Sequence, residues 1–168
     1  MKHRATVLSM RRDRILLVAK RNGRWALPGG RRKPGEALSQ AAVRELSEET
    51  RLTAHRVDYL FQFWGFNTQH FVFSAHVSPD LEAKPANETA CCKWVKLCDV
   101  KRLPASVSTK GIAEYPVRAR VPLFQRGPID AHDISHEAGS SSVCRTRFSP
   151  DEPPADRLRD WHRCSSDS

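Results

Sequence analysis

The chain has 168 residues, enough for one domain of ordinary size with a core of its own. A formal net charge of +9 and a pI of about 9.8 favour anionic partners such as phosphorylated metabolites or nucleotides over cationic ones. No apolar run approaches the roughly 18 residues of a membrane helix, and Arg11, Arg12 and Arg14 break the amino-terminal run before it could serve as a signal peptide; a soluble, cytoplasmic protein with no membrane contact is expected.

In chain order, Ala5 to Leu8 and Ile15 to Ala19 read as strands flanking a charged turn at Arg11-Arg12-Asp13-Arg14. The second is a continuous apolar run, as in a strand covered on both faces. Asn22-Gly23 is a turn signal and predicts that 14–20 pairs with 24–27 as a hairpin. Pro28-Gly29-Gly30 ends that strand, and a basic loop (Arg31, Arg32, Lys33) leads through Pro34-Gly35-Glu36 into a helix predicted over 38–50. Ala42, Val43 and Leu46 share the helix face that should pack on a sheet, while Ala41 falls one turn before Glu45 on the acidic side.

Beyond the helix, 56–66 and 70–77 are rich in aromatic and β-branched residues and predict a second hairpin, joined at Asn67-Thr68-Gln69. Alternation would place Tyr59, Phe61 and Phe63 on one face and Leu60, Gln62 and Trp64 on the other. A loop over 78–87, a strand over 92–97 and a last helix capped by Ser108 and reaching Glu114 complete the domain. From about 115 prolines punctuate a stretch of serine, arginine, aspartate and histidine that buries too little apolar surface to offset its ordering entropy. The expected organisation is therefore a domain over 1–115 and a Pro/Ser/Arg-rich, largely disordered tail over 116–168. Five cysteines, an odd count with no C-x-x-C pair, fit reduced thiols.

The chemistry is concentrated in the helix. Glu45 and Glu49 are four apart and stack one turn above the other, with Glu48 on the same arc. Like charges at that spacing weaken an isolated helix by about 0.3 kcal/mol per pair, so three adjacent carboxylates call for a cation between them. Hard oxygen ligands suit Mg²⁺, with Mn²⁺ as the alternative; such ions take few carboxylates and fill their remaining positions with water and phosphate oxygens. Arg44, four residues before Glu48, could hold that acid in place or form an ordinary surface pair.

These residues resemble the signature of the Nudix hydrolases, G-x5-E-x7-R-E-U-x-E-E-x-G-U, with U a bulky aliphatic residue. Gly30 matches the first glycine, Glu36 the first acid, Arg44-Glu45-Leu46 the REU, Glu48-Glu49 the acid pair and Leu52 the final U. One position departs from it: Arg51 stands where the pattern has glycine, a plausible left-handed helix stop. The resemblance covers the chain to about Glu114. It implies an α/β fold, the Nudix α/β/α sandwich, in which a mixed sheet lies between helices and the signature forms a loop-helix-loop catalytic motif.

The resemblance also implies the activity: Mg²⁺-dependent hydrolysis within the diphosphate of a nucleoside diphosphate linked to a group X. Glu45, Glu48 and Glu49 would hold metal, with the Gly30 carbonyl and Glu36, directly or through water, as further ligands. Glu48 is the first choice of general base and Glu88 the second, with Arg44 orienting the acids. Arg31, Arg32 and Lys33 could meet outer phosphates or form a solvated basic loop. Trp25, Phe66 and Tyr59 could stack on a base, although strand aromatics are more often core. A nucleotide or other small diphosphate is the expected partner, and a homodimer is left open. Nucleic acid is disfavoured because the tail lacks basic-aromatic interleaving. The alternatives are a weak or inactive nucleotide-binding module of the same fold and a pyrophosphohydrolase of RNA 5′ ends.

Overall fold

A computed structural model describes residues 1–119, with side chains described through 115. It contains two sheets and two helices. The first sheet has the order β4-β1-β6-β5, built from β1 (Lys2–Leu8), β4 (Gly29–Gly30), β5 (Ala54–Trp64) and β6 (Thr68–Val77). The second runs β2-β3-β7, from β2 (Met10–Arg11), β3 (Arg14–Ala19) and β7 (Cys91–Lys96). Helix α1 spans Leu38–Thr50 and α2 spans Val107–Ala119, preceded by a 3₁₀ turn over Leu97–Arg102.

Burial pattern explains the layering. Ala5, Val7, Leu16, Phe73 and Ala75 form one apolar cluster with Ala41, Ala42 and Leu46 of α1. Leu8, Ile15, Leu17 and Val72 point the other way, into a cluster that includes Ile112 and Ala113 of α2. Strand period therefore splits β1 and β3 between two cores, one under each helix. This is the expected α/β/α sandwich, and β1 running parallel to β6 makes the sheet mixed.

Several expectations need correction. Residues 14–20 do not form a ladder with 24–27; a single bridge, Val18 to Ala26, joins them, and β3 pairs with β2 and β7. Asn22 still makes the turn, at φ 57°. The alternation in β5 breaks between Tyr59 and Phe61, where the register with β6 shifts. A bulge inserts one residue out of phase, so Leu60, Phe61 and Phe63 all pack on the α2-side core while Tyr59 is exposed. Helix α2 is entered through Ser106, whose hydroxyl accepts the Thr109 N–H at 3.1 Å, and not through Ser108. The tail assigned to 116–168 lies outside the described residues, except that α2 continues through Pro116 to Ala119. Cys92 is a free thiol.

Candidate active site

Helix α1 carries the acids, and its ends are held by unlike means. At the start no side chain caps it; the Gln40 side-chain oxygen accepts the Ala37 N–H at 2.9 Å. At the end Arg51 takes the left-handed conformation (φ 57°, ψ 12°) and donates its N–H to the Ser47 carbonyl. The non-glycine residue thus makes the stop that the signature assigns to glycine, at a cost of about 1 kcal/mol. The loop between β6 and β7 satisfies the last carbonyls: Lys84 N–H donates to Thr50 O at 2.9 Å and Ala86 N–H to Glu49 O at 3.2 Å. Glu49 therefore leaves a helix end whose backbone is fixed from outside.

Arg44 is the hub of the motif. Its Nε and Nη2 form a fork on Glu36 at 2.7 and 3.0 Å, while Nη1 reaches Glu45 at 2.8 Å and Glu48 at 2.9 Å. Nη2 also donates to the Arg31 carbonyl at 3.0 Å, which binds the basic loop to the helix. Such planar, multidentate pairing is what guanidinium geometry permits and an ammonium does not. The fork from Arg44, helped by the Lys33 N–H at 2.7 Å, holds the Glu36 carboxyl down at about 2. Arg44 is itself raised, chiefly by Glu36. Spacing alone left Arg44 with either role; in the fold it ties the preceding loop, at Arg31 and Glu36, to Glu45 and Glu48 of its own helix.

The glycine pair makes room. A Cβ on Gly29, at φ 144°, would collide with the Ala5 carbonyl across the β1–β4 pairing, and one on Gly30 would collide with the Glu45 carboxylate. Glu45 thus rests directly on the Gly30 backbone. Glu49 turns toward the same strand and accepts the Gly29 N–H at 3.0 Å. Burial pushes its carboxyl above the usual range, against the pull of the Gly29 N–H and of Arg4 and Lys20; Glu45 nearby adds to the rise.

Among the described residues, no three His, Cys, Asp or Glu side chains close around one point as a metal cage. What converges is an open set. Glu45, Glu48 and Glu49 each have one oxygen engaged, by Arg44 or by Gly29, and a second oxygen with no hydrogen bond. Carboxylates already oriented, one of them desolvated, with free oxygens beside a glycine backbone fit an ion that takes one or two carboxylates and completes its shell with water and phosphate.

The other sequence candidates are distributed unevenly. Arg31, Arg32 and Lys33 are exposed, and Lys33 Nζ stands 3.8 Å from Glu48. Glu88 is exposed and ion-paired with Lys20, which keeps its carboxyl below the ordinary value. Trp25 is 4% exposed and belongs to the α2-side core, so it offers no face for stacking. Phe66 is 99% exposed at the turn between β5 and β6. Ala41 is fully buried under the sheet, away from the acids, and Val43 lines an outer groove with Val57 and Gln40.

Sequence reasoning missed Arg4 and His70. The two are register partners on β1 and β6, and His70 Nδ1 lies 2.9 Å from Thr6 Oγ1. Burial, with Arg4 adding to it, depresses His70 to about 4. Arg4 is largely buried and interacts electrostatically with Glu49 and Glu45. The available signal was a charged residue opening an otherwise apolar strand.

Residues 1–114 match the family model described as the NUDIX domain. A Caenorhabditis elegans protein named "Putative nudix hydrolase 1" is 28% identical over 111 residues, 65% of this chain and 30% of its own length. A Bacillus subtilis protein named "Putative 8-oxo-dGTP diphosphatase" is 34% identical over 95 residues, 54% of this chain and 64% of its own. The chain thus spans less than two thirds of the length of these curated relatives. The crystal structure of a MutT NUDIX hydrolase from Burkholderia pseudomallei superposes with a TM-score of 0.61 at 24% identity, covering 67% of this chain and 95% of that one; it bears on the fold alone.

Proposed function

The chain belongs to the Nudix family, and from that premise we propose that it is a Mg²⁺-dependent pyrophosphohydrolase acting on a nucleoside diphosphate linked to a further group. The observation that carries this reading is the division of oxygens in the acid set. Arg44 and the Gly29 N–H each fix one oxygen of a carboxylate and leave its second oxygen available. Glu45 and Glu49 would hold Mg²⁺ or Mn²⁺, with the Gly30 carbonyl as a further ligand and Glu36 confined to bracing Arg44. Bound there, a divalent ion neutralises the diphosphate and lowers the pKa of a coordinated water.

The chain's own groups supply the rest. Glu48, at 41% side-chain exposure the most open of the three, is placed to take the proton of the attacking water. Lys33 and the exposed Arg31 and Arg32 receive the outer phosphates. Glu88 stays second as a base, because its pairing with Lys20 must break before it can act. With Trp25 taken into the core, Phe66 and Tyr59 are the remaining aromatic candidates for the base. A nucleotide substrate of the kind named for the Bacillus subtilis relative belongs first on a test panel.

The experiment is a Mg²⁺-supplemented screen of 8-oxo-dGTP, ADP-ribose and other diphosphate compounds, following phosphate and nucleoside monophosphate release. Glu49→Gln serves as the blank and is expected to lose activity by about a hundredfold or more. Tight nucleotide binding without turnover on any compound would hand the assignment to the inactive-module reading. Steeply salt-dependent RNA binding that disappears on deletion of 116–168 would support action on RNA ends.

A further inference from the structure

A partly buried cation near Glu45 and Glu49 has no hydrogen-bonding partner among the described residues. Among the described residues, the Arg4 guanidinium makes neither a hydrogen bond nor an ion pair, whereas Arg44 makes five hydrogen bonds. It is nonetheless largely buried, and burial disfavours its charge. None of its nitrogens is sealed from solvent, so its donors stay open to an incoming anion. Arg11, another strand arginine, is tied into the protein instead: its guanidinium lies 4.3 Å over Trp94 and its Nη2 donates to the Ser78 and Leu81 carbonyls, although its Nε is buried without a partner.

Register fixes where Arg4 stands. Ala5 pairs with Gly30 and Thr6 with Gly29, so Arg4 follows directly beyond the glycine pair, with His70 opposite on β6. Ala5 and Val7 face α1, which puts Arg4 on the other face with Thr6. β4 is the edge strand and carries no side chains, so the acids of α1 and the arginine of β1 meet across bare backbone. The closest anionic groups are Glu49 and Glu45, and neither comes within ion-pair distance. His70 stands opposite Arg4 on the neighbouring strand.

We propose that Arg4 is a phosphate-binding residue of the active site, gripping an oxygen of the substrate's diphosphate from the sheet face while the acids of α1 approach it from the other side. The substrate class is a diphosphate or a longer phosphate chain, and the inference rests on the pyrophosphohydrolase reading of the same acids. An oxygen between Arg4 and the Glu45–Glu49 pair satisfies donors that the fold leaves open. The competing account is a counterion that only offsets the repulsion of Glu45 and Glu49.

The test uses the full chain, R4Q and R4K. Binding of imidodiphosphate in Mg²⁺ is measured by calorimetry, Mn²⁺ binding without ligand by electron paramagnetic resonance, and hydrolysis on whichever compound the wild type cleaves. R4Q is expected to weaken imidodiphosphate binding tenfold or more and to raise KM at least as strongly as it lowers kcat. R4K recovers part of the affinity, and Mn²⁺ binding stays equal or tightens. R4M, which keeps the aliphatic stem, replaces R4Q if that variant does not fold.

Imidodiphosphate affinity within twofold of wild type in the neutral variant overturns the proposal, as does no measurable binding by the wild type. Equal weakening of Mn²⁺ and imidodiphosphate overturns it too, because Arg4 would then act only through the acids. Arg4-dependent binding with no hydrolysis by the wild type defeats the pyrophosphohydrolase reading while leaving Arg4 as a phosphate grip. Hydrolysis that ignores Arg4 defeats this inference alone.

Discussion

Glu36 and Glu49 belong to one loop-helix unit, yet their surroundings pull them in opposite directions. At the outer end Glu36 is clasped by a forked arginine and held at about 2. At the inner end Glu49 is desolvated, receives one backbone N–H and is pushed above the ordinary carboxylate range. The lesson is a separation of tasks. Glu36 is consumed in fixing the loop to the helix, so it serves as scaffold. Glu49 has little to satisfy it within the protein, so on the proposed reading it would join Glu45 in meeting a cation.

The most severe way to break this contrast is Arg44→Met. It strands Glu36, Glu45 and Glu48 together and frees the Arg31 carbonyl. The expected outcome is a lower midpoint in a urea titration, because three carboxylates lose the donor they share. Hydrolysis should fall about a hundredfold, as when a group that orients ligands is removed. Unchanged stability would mean the outer end is not a scaffold.

Acid sharpens the contrast by addressing the two ends in turn. His70 on the inner side has a folded pKa of about 4, below the ordinary 6.5, so the unfolded chain takes up the proton first. Its contribution to stability is present above pH 6.5 and is lost as pH falls toward 4. Glu36 is depressed from 4.5 to about 2, so its contribution is present above pH 4.5 and lost as pH falls through 2. Urea midpoints against pH should therefore decline in both windows, and His70→Gln should flatten only the upper one. The smallest effect concerns the helix stop that joins the two ends. Arg51→Gly relieves left-handed strain and should stabilise by about 1 kcal/mol, or roughly 2–4 °C in Tm, with activity unchanged.

Part of the outer end was legible beforehand, because it is local. Arg44 and Glu48 lie one helical turn apart and spacing alone suggests their contact, whereas the fork on Glu36, which precedes the helix, is not legible from spacing. The inner end was not, because it is assembled by pairing distant strands. Arg4 gains its meaning only when β1 runs parallel to β6 and presents it to His70, and when Gly29 and Gly30 line the edge. Trp25 follows the commoner fate of a strand aromatic, core and not stacking surface, but the residues that share that core, Leu103 and Ala105, lie far along the sequence. The shift after Tyr59 in β5 was invisible to a period-two count for an equally physical reason, since a bulge leaves no composition of its own.

The loop that returns from β6 to β7 has its amides at Lys84 and Ala86 seated on the last carbonyls of α1. Exchanging that loop to alter which compound is accepted would therefore also reset the rung from which Glu49 hangs. Grafts that keep the 84–86 backbone should preserve turnover while changing preference. Grafts that shorten it should cost rate on every compound alike.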